Sequence, residues 1–321
     1  MDDPADRLAA IRSAIPAEFD AAILTESWSN DAWLTDQSVL RVCWRGDRER
    51  LAREQAILES LPSSVPHASV LAAGRTDGLT WLTARRIPGE RLDLAWPRLT
   101  GQQRHDAIGS LAAAMKALHG WEPPPRLRDQ LRLSVDTAAA HDEIAGGAVV
   151  PMPAPRLIPL LDWLDEQPAL GSDLARQVRR RISDLRPVIA DAEFDDGVVV
   201  HGDAHLANVL WHEGKVVALL DFEWARLGPP DLEFEAVCRD NADIGERARQ
   251  GVVPAAAVPV LAGLRSGYPE LFDQENLTER VWLYELCHRV RQLCLRDVFV
   301  VAPQVLQELT DLVKHPRVGF S

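Results

Sequence analysis

The chain changes character once, near Pro88-Gly89, and this change limits the folds that it can adopt. Before that point lie strand-length apolar pieces separated by polar turns, with one helix-length segment at 47–61. After it, apolar residues recur at helical spacing over long stretches. This pattern predicts a small antiparallel sheet crossed by one helix, then a larger helical part, with a cleft between the two lobes. The predicted class is α+β and bilobal, with an N-terminal lobe at 1–86 and a C-terminal lobe at 87–321.

The elements follow from the spacing of apolar residues and from the turn residues that separate them. The first part of the chain has five predicted strands, at 21–26, 32–34, 39–44, 69–73 and 79–87. Helices are predicted at 5–15, 47–61, 103–119, 157–166, 173–190, 277–298 and 303–313. A short β-rich island interrupts the helical part, with strands at 198–200, 209–211 and 216–220.

Charge and composition exclude several classes of protein. The net charge is −13, of which −9 lies beyond residue 90, and basic runs are absent, which argues against partners such as nucleic acid or an anionic membrane. Four Cys without a C-x-x-C pair indicate neither a zinc site nor a disulfide framework. No apolar run approaches the roughly 18 residues of a membrane span, and the acidic N-terminal residues include no apolar core of signal-peptide length. We expect a cytoplasmic monomer or homodimer whose acidic C-terminal lobe suits a cationic small molecule.

The densest group of polar side chains lies inside the β-island. It reads His201-Gly202-Asp203-Ala204-His205-Leu206-Ala207-Asn208, and the strand at 216–220 ends directly at Asp221. Hairpin pairing would bring Asn208 and Asp221 to the same end of the ribbon, with Asp203 in the connecting loop. Phosphoryl transfer needs such a set, because two oxygen ligands hold Mg²⁺ on a nucleotide and a carboxylate orients the accepting hydroxyl. Taken singly, these residues could be turn formers and a strand-end cap.

These motifs resemble those of the aminoglycoside phosphotransferase-like family, which has a protein-kinase-like fold. The resemblance rests on residues 201–210, on Leu219-Leu220-Asp221-Phe222-Glu223 and on Gly228-Pro229-Pro230-Asp231-Leu232. It implies that Asp203 is the catalytic base and that Asn208 and Asp221 bind Mg²⁺. It also implies that three residues support the site: His201, His205 and Asp231. The implied activity is transfer of the γ-phosphate of ATP or GTP to a hydroxyl of an aminoglycoside-like compound or another antibiotic or metabolite.

The predicted helix at 47–61 carries an acid on its apolar face. Glu54 shares that face with Leu51 and Leu58 and therefore needs a partner. In a kinase-like fold the partner is a cation on the neighbouring strand that also holds the nucleotide phosphates. Arg41 occupies that position here, and its forked guanidinium can serve a carboxylate and a phosphate together. A plain salt bridge at the helix edge is the alternative for Glu54.

Two further segments are assigned to the nucleotide by their position in a kinase-like fold. Ser29 and Asn30 lie in the turn between the first two strands, where a phosphate-covering loop is expected, although this turn contains no glycine. It could equally be an ordinary loop. Arg86 and Ile87 lie where the hinge between the lobes is expected, and their backbone groups are predicted to bind the base.

Other functions remain open from the sequence. A nucleotide-binding pseudoenzyme with a regulatory role is one alternative, favoured by the missing glycines and by Arg41. A choline- or homoserine-type metabolite kinase is another, because the same fold serves many hydroxylated acceptors. A kinase of protein substrates is disfavoured, since the nine residues between Asp221 and Asp231 are too few for an activation loop. The acidic segments 142–143 and 191–196 could contact a cationic acceptor or simply face solvent.

Overall fold

A computed structural model describes residues 3–25, 30–44, 49–132, 161–162, 165–166, 170–249, 260–294 and 303–316. Its strands are β1 Ile23–Thr25, β2 Asp31–Leu34, β3 Ser38–Cys43, β4 Val70–Thr76, β5 Leu79–Arg85, β6 Glu90–Arg91, β7 Val198–Val200, β8 Val209–His212, β9 Lys215–Leu219 and β10 Arg226–Gly228. Its α-helices are α1 Pro4–Ile11, α2 Arg50–Leu58, α3 Leu92–Ala95, α4 Gly101–His119, α5 Pro125–Leu131, α6 Ser172–Leu185, α7 Ala192–Asp195, α8 Phe234–Arg249, α9 Val260–Gly267, α10 Leu277–Cys294 and α11 Pro303–Lys314. The predicted α+β class is confirmed.

The N-terminal part is a five-stranded antiparallel sheet in the order β1-β2-β3-β5-β4. Because side chains alternate along a strand, β3 presents two different faces. Leu40 and Val42 pack with Ile11 and Phe19 in an apolar cluster on one side. Cys43 belongs to the main core with residues of α2 on the other side, and Arg41 shares that side by alternation. The sheet therefore aims the Arg41 side chain at α2.

Helix α2 meets this face of the sheet with its own buried side. Leu51, Ile57 and Leu58 are buried, and Glu54 lies among them with only 3% of its surface exposed. The helix ends at Leu58, earlier than predicted, and a turn leads to Pro62. The predicted acid on an apolar stripe is thus confirmed, and its environment makes a partner obligatory.

The C-terminal helices agree with the predicted pattern, with small shifts at their ends. Helix α4 begins two residues early, where Thr100 and Gln103 form a capping box. The predicted helix 173–190 is α6 followed by a short 3-10 turn at Arg186–Val188. The predicted helix 157–166 lies mostly outside the described residues, as do residues 295–298 at the end of the predicted helix 277–298.

The β-island differs from the prediction in one respect. Strands β8 and β9 form the expected hairpin, extended by β6, but β7 pairs with β10 in a separate two-stranded sheet. The hairpin register places Val209 opposite Leu219, and the Leu220 amide donates to the Asn208 carbonyl at 2.8 Å. Asn208 and Asp221 therefore do lie at the same end of the ribbon.

Cys43, Cys238 and Cys287 are buried. The side chain of Cys294 is outside the described set. Within the described ranges, no helix combines the length and apolar character that crossing a membrane requires.

Candidate active site

The loop after β7 is held by a buried glutamate. Glu233 accepts hydrogen bonds from the amides of His201 and Gly202, and the His201 ring contacts the Leu220 carbonyl through Nε2 at 2.8 Å. Gly202 has a φ of 77°, and a Cβ there would lie 2.6 Å from the Trp224 carbonyl oxygen, so only glycine fits. These contacts fix the backbone of the two residues that precede Asp203.

Both carboxylate oxygens of Asp203 are occupied by donors. Arg239 Nη2 lies 3.2 Å from Oδ1, while Asn208 Nδ2 donates to Oδ2 at 3.2 Å and His205 Nε2 lies 3.5 Å from it. Burial acts to raise the pKa of Asp203, but His205 and Arg239 outweigh it, so the pKa falls well below its usual range. Burial lowers the pKa of His205, whereas the bond to Asp203 raises it more, and the net shift is upward.

Asp221 is held in an uncommon backbone conformation beside a cation. Its φ of 66° and ψ of 57° place it in the left-handed region, which is costly for a residue other than glycine. Arg41 Nη2 donates to its Oδ1 at 2.6 Å. Burial raises the pKa of Asp221 to about 6; Arg41 opposes this shift, and the carboxylates of Glu223 and Asp203 add to it.

Arg41 is the shared partner of three carboxylates. It pairs with Glu54 through Nη1, and Nη2 lies 3.0 Å from Glu223 in addition to its bond with Asp221. Glu54 also accepts from the Phe222 amide at 3.2 Å. Burial raises the pKa of Glu54 to about 8 against the opposing effect of Arg41. One guanidinium therefore contacts three acids.

Glu223 connects this group to the turn before β2 and to α2. Its Oε2 accepts from Asn30 Nδ2 at 2.8 Å and lies 3.2 Å from Arg50 Nε. Arg50 Nη2 in turn donates to Asn30 Oδ1 at 2.9 Å. Asn30, predicted to lie in a phosphate-covering loop, is therefore fixed against the loop that follows β9. Ser29 falls outside the described residues.

The donor set fits a hard divalent cation. Carboxylate oxygens of Glu54, Asp221 and Glu223 lie within 4.8 Å of one another. Glu223 Oε1 is buried and, among the described residues, has no hydrogen-bond partner. Asn208 directs its Nδ2 toward the backbone carbonyl and the carboxylate of Asp203. Oxygen ligands of this kind are those that Mg²⁺ prefers.

The remaining predicted residues occupy less direct positions. The Arg86 amide donates to the Gln37 carbonyl at 2.7 Å, so that donor already has a partner, and Ile87 follows it half-buried. Asp231 is fully buried and accepts from Arg280 Nε at 2.7 Å and from the Tyr284 hydroxyl at 2.7 Å. These bonds join Asp231 to helix α10. The amides of the loop after β7 are held by Glu233 and not by Asp231.

Several functional neighbours were not predicted from the sequence. Glu223 and Glu233 each follow a predicted aspartate by two residues, and that repeated spacing was an available signal. Arg239 and Asp240 lie on α8, and Asp240 accepts from the Leu206 amide at 2.6 Å. No local pattern links these two residues to the loop 36 positions earlier.

A cavity of about 210 Å³ lies beside the loop that carries Asp203. Two of its walls are carboxylates, Asp93 of α3 and Asp240 of α8, and apolar side chains form much of the rest. Its lining includes Asp93, Trp96, His205, Leu206, Asp240 and Ile244. Burial raises the pKa of Asp240 to about 6, partly countered by His205 and by the Leu206 amide.

Arg41 of the sheet is paired with Glu54 of helix α2, and the loop after β7 carries Asp203, whose carboxylate is held by donors. This arrangement is typical of a protein-kinase-like phosphotransferase. The model of the phosphotransferase enzyme family matches residues 20–271. The chain belongs to this family, and it is a phosphotransferase with an alcohol group as acceptor. The predicted resemblance, fold class and enzyme class are therefore confirmed.

Solved structures show the same fold over nearly the whole chain. The ADP-bound aminoglycoside phosphotransferase APH(2'')-Ib is 15% identical, with a TM-score of 0.60 and coverage of 97% of each chain. The GDP and kanamycin complex of APH(2")-IIIa is 16% identical, with a TM-score of 0.65 and coverage of 95% and 96%. A ternary complex of a thermostable mutant of APH(4)-Ia with AMP-PNP and hygromycin B is 16% identical, with a TM-score of 0.61 and coverage of 97% and 98%. A search of curated proteins finds no match.

Proposed function

We propose that the protein transfers the γ-phosphoryl group of ATP or GTP to a hydroxyl of an aminoglycoside-like antibiotic or another hydroxylated metabolite, with Mg²⁺ as cofactor. The observation that carries this proposal is Asp203, whose two carboxylate oxygens are held by donors near the cluster of Arg41, Glu54 and Asp221. One side of the site thus suits an acceptor hydroxyl and the other suits phosphates.

In this reaction the acceptor oxygen forms a bond to the γ-phosphorus while the bond from that phosphorus to the β-phosphate oxygen breaks, releasing the nucleoside diphosphate. The hydroxyl proton passes to a carboxylate oxygen of Asp203. The low pKa of Asp203 suits a loose transition state, in which the proton leaves late and positioning supplies most of the acceleration. Arg41 would offset charge on the phosphates.

Asn208 and Asp221 are the proposed ligands of the metal, with the neighbouring carboxylate of Glu223 directed at the same region. When bound, Mg²⁺ offsets the charge of the β- and γ-phosphates and aligns them for in-line displacement. Asn30 and, by position, Ser29 are proposed to cover the phosphates. The Arg86–Ile87 segment is proposed to face the base. Both ATP and Mg²⁺ are abundant in the cytoplasm, where we propose that the reaction takes place.

We base the proposal of a cationic acceptor on the cavity beside the loop that carries Asp203. Its walls include the carboxylates of Asp93 and Asp240, and the chain beyond residue 90 carries a net charge of −9. Structural neighbours bind kanamycin and hygromycin B. An amine-bearing polyhydroxyl compound would match both the charge and the chemistry, and such an activity would confer antibiotic resistance.

The proposal is tested by incubating the protein with Mg²⁺ and either ATP or GTP, together with a panel of hydroxylated compounds. The panel includes kanamycin, hygromycin B, a macrolide, choline and homoserine. Mass spectrometry should detect one acceptor with the added mass of a phosphoryl group, and Asp203→Asn should abolish that product. Transfer to choline or homoserine alone would overturn the antibiotic assignment while retaining the reaction type. Absence of transfer to any compound, and to water, would overturn the proposal.

A further inference from the structure

Helix α8 contacts the loop of Asp203 through two consecutive side chains. Arg239 Nη2 lies 3.2 Å from Asp203 Oδ1, and Asp240 accepts from the Leu206 amide at 2.6 Å. Arg239 therefore contacts the carboxylate of Asp203, and Asp240 contacts the backbone three residues further along the loop. Because both come from one helix, the loop and α8 form a single unit at this point.

Arg239 is itself held in place. Glu235, one turn earlier on α8, lies 2.9 Å from Arg239 Nε, and its own side chain is only 8% exposed. The side chain of Arg239 is 27% exposed, so its charge is partly withdrawn from solvent. This contact is an ion pair and not a hydrogen bond, because Arg239 Nε has no hydrogen-bond partner among the described residues. The charge of the buried acid still limits where the guanidinium can lie, so that Nη2 faces one direction. Here that direction is toward Asp203 Oδ1.

The carboxylate of Asp203 has little freedom to rotate as a result. Asn208 and His205 contact Oδ2 from one side, and Arg239 contacts Oδ1 from the other. If Arg239 were removed, Oδ1 would lose its charged donor, and the carboxylate could turn about its last bond. For a group that must align an acceptor hydroxyl, a displacement of about 1 Å can cost about 100-fold in rate.

We infer that Arg239 is a positioning residue for phosphoryl transfer, acting through the orientation of the Asp203 carboxylate. This inference rests on the proposed role of Asp203 as the base. Arg239 contacts neither the cluster around Arg41 nor the proposed metal ligands in the described structure. It should therefore affect turnover much more than nucleotide binding.

The test compares Arg239→Ala, Arg239→Lys and Glu235→Gln with the wild-type enzyme. The matched control is Arg180→Ala, which removes an exposed arginine from another i,i+4 ion pair on helix α6. The probe is MgATP hydrolysis with water as acceptor, together with transfer to any acceptor that the panel identifies. The readouts are kcat, KM for MgATP, the affinity for MgADP by calorimetry, and the unfolding midpoint.

We expect Arg239→Ala to lower kcat by about 10- to 100-fold, with KM and MgADP affinity within about twofold of the wild type. Arg239→Lys, which keeps a cationic donor, should recover most of that loss, and Glu235→Gln should give a smaller decrease in kcat. A kcat of Arg239→Ala within twofold of the wild type would overturn the inference, whatever Glu235→Gln does. So would a parallel loss of stability and MgADP affinity that Arg239→Lys fails to recover, because that result defines a purely structural role.

The outcomes also separate this inference from the proposed function. If wild-type protein transfers phosphate and Asp203→Asn does not, the base assignment stands whatever Arg239→Ala does. If Asp203→Asn keeps wild-type kcat, the base assignment fails, and the role of Arg239 fails with it.

Discussion

Arg41 Nη2 lies 2.6 Å from Asp221 Oδ1, although the two residues are 180 positions apart in the chain. The contact joins β3 of the sheet to the loop that follows β9. Asp221 is also a proposed metal ligand, so the guanidinium of Arg41 and the proposed metal would both contact the same carboxylate. Several consequences of this arrangement can be measured.

Removal of the shared cation should destabilise the metal-free protein and make it responsive to Mg²⁺. Arg41→Met leaves Glu54, Asp221 and Glu223 facing one another without that guanidinium. Breaking a buried ion pair on one side typically costs about 3–5 kcal/mol. We expect a loss of that order in urea unfolding without Mg²⁺, and partial recovery when millimolar Mg²⁺ is added. Arg41→Lys is the control and should lose less. Wild-type stability of Arg41→Met without metal would contradict this account.

Replacement of the proposed base should separate chemistry from binding. Asp203→Asn keeps the shape of the side chain but removes its capacity to accept a proton. We expect turnover to fall by about 10²- to 10⁴-fold while the affinity for MgADP stays within about twofold. Rapid-quench kinetics and calorimetry measure the two quantities. Asp129→Asn, which changes an exposed aspartate paired with Arg132, serves as the control. A mutant that turned over like the wild type would remove Asp203 from this role.

Metal-dependent nucleotide binding should weaken in acid. The pKa of Asp221 is raised to about 6, and a metal binds the deprotonated carboxylate. Lowering the pH from 7 to 5 protonates most of this group, so the affinity for MgADP should fall by about tenfold. Calorimetry at several pH values tests this. Asp221→Asn should bind MgADP weakly at every pH, and a flat profile in the wild type would exclude Asp221 as the titrating ligand.

Asp240 should make the folded state less stable as pH rises. Its pKa is raised to about 6 in the folded protein, above the ordinary value of an unfolded aspartate. The folded state therefore binds the proton of Asp240 more tightly than the unfolded state does. The stabilisation by this proton is complete below the unfolded pKa, near pH 4, and is lost as the pH rises through the folded pKa, near pH 6. Asp240→Asn keeps an acceptor for the Leu206 amide without the charge. We expect it to be more stable than the wild type at pH 7.5, by no more than about 3 kcal/mol, and equal to it near pH 4. Thermal unfolding across this range is the measurement, and a constant difference would refute the assignment.

The parts of the candidate site that could be predicted are those indicated by local sequence patterns. Glu54 is a candidate because an acid on the apolar face of α2 requires a partner, and the resemblance to a kinase-like fold makes Arg41 that partner. Asn208 and Asp221 were placed together because a two-stranded hairpin joins them, which leaves few possible registers. A local period therefore explains the position of Glu54, and a short connection explains the proximity of Asn208 and Asp221, whereas Arg41 depends on the resemblance.

Contacts between distant elements were not predictable in the same way. Asn30 and Glu223 are 193 residues apart, and nothing near either residue indicates that they are hydrogen-bonded. The pairing of β7 with β10 and the approach of Arg239 to Asp203 likewise depend on how separate elements pack.

The sequence by itself predicted an antiparallel sheet followed by a helical part, most of the helices and strands, and a part of the candidate oxygen-bearing side chains, among them Asp203, Asn208 and Asp221. Tertiary structure decided the partners: the left-handed conformation of Asp221, the sharing of Arg41 among three acids, and the clamp of α8 on the loop of Asp203. The physical reason is the distance along the chain over which each kind of interaction acts. Backbone periodicity and turn chemistry act over a few residues, whereas the direction of a buried charged side chain is set by desolvation and by whichever partners the packing of remote elements brings within reach.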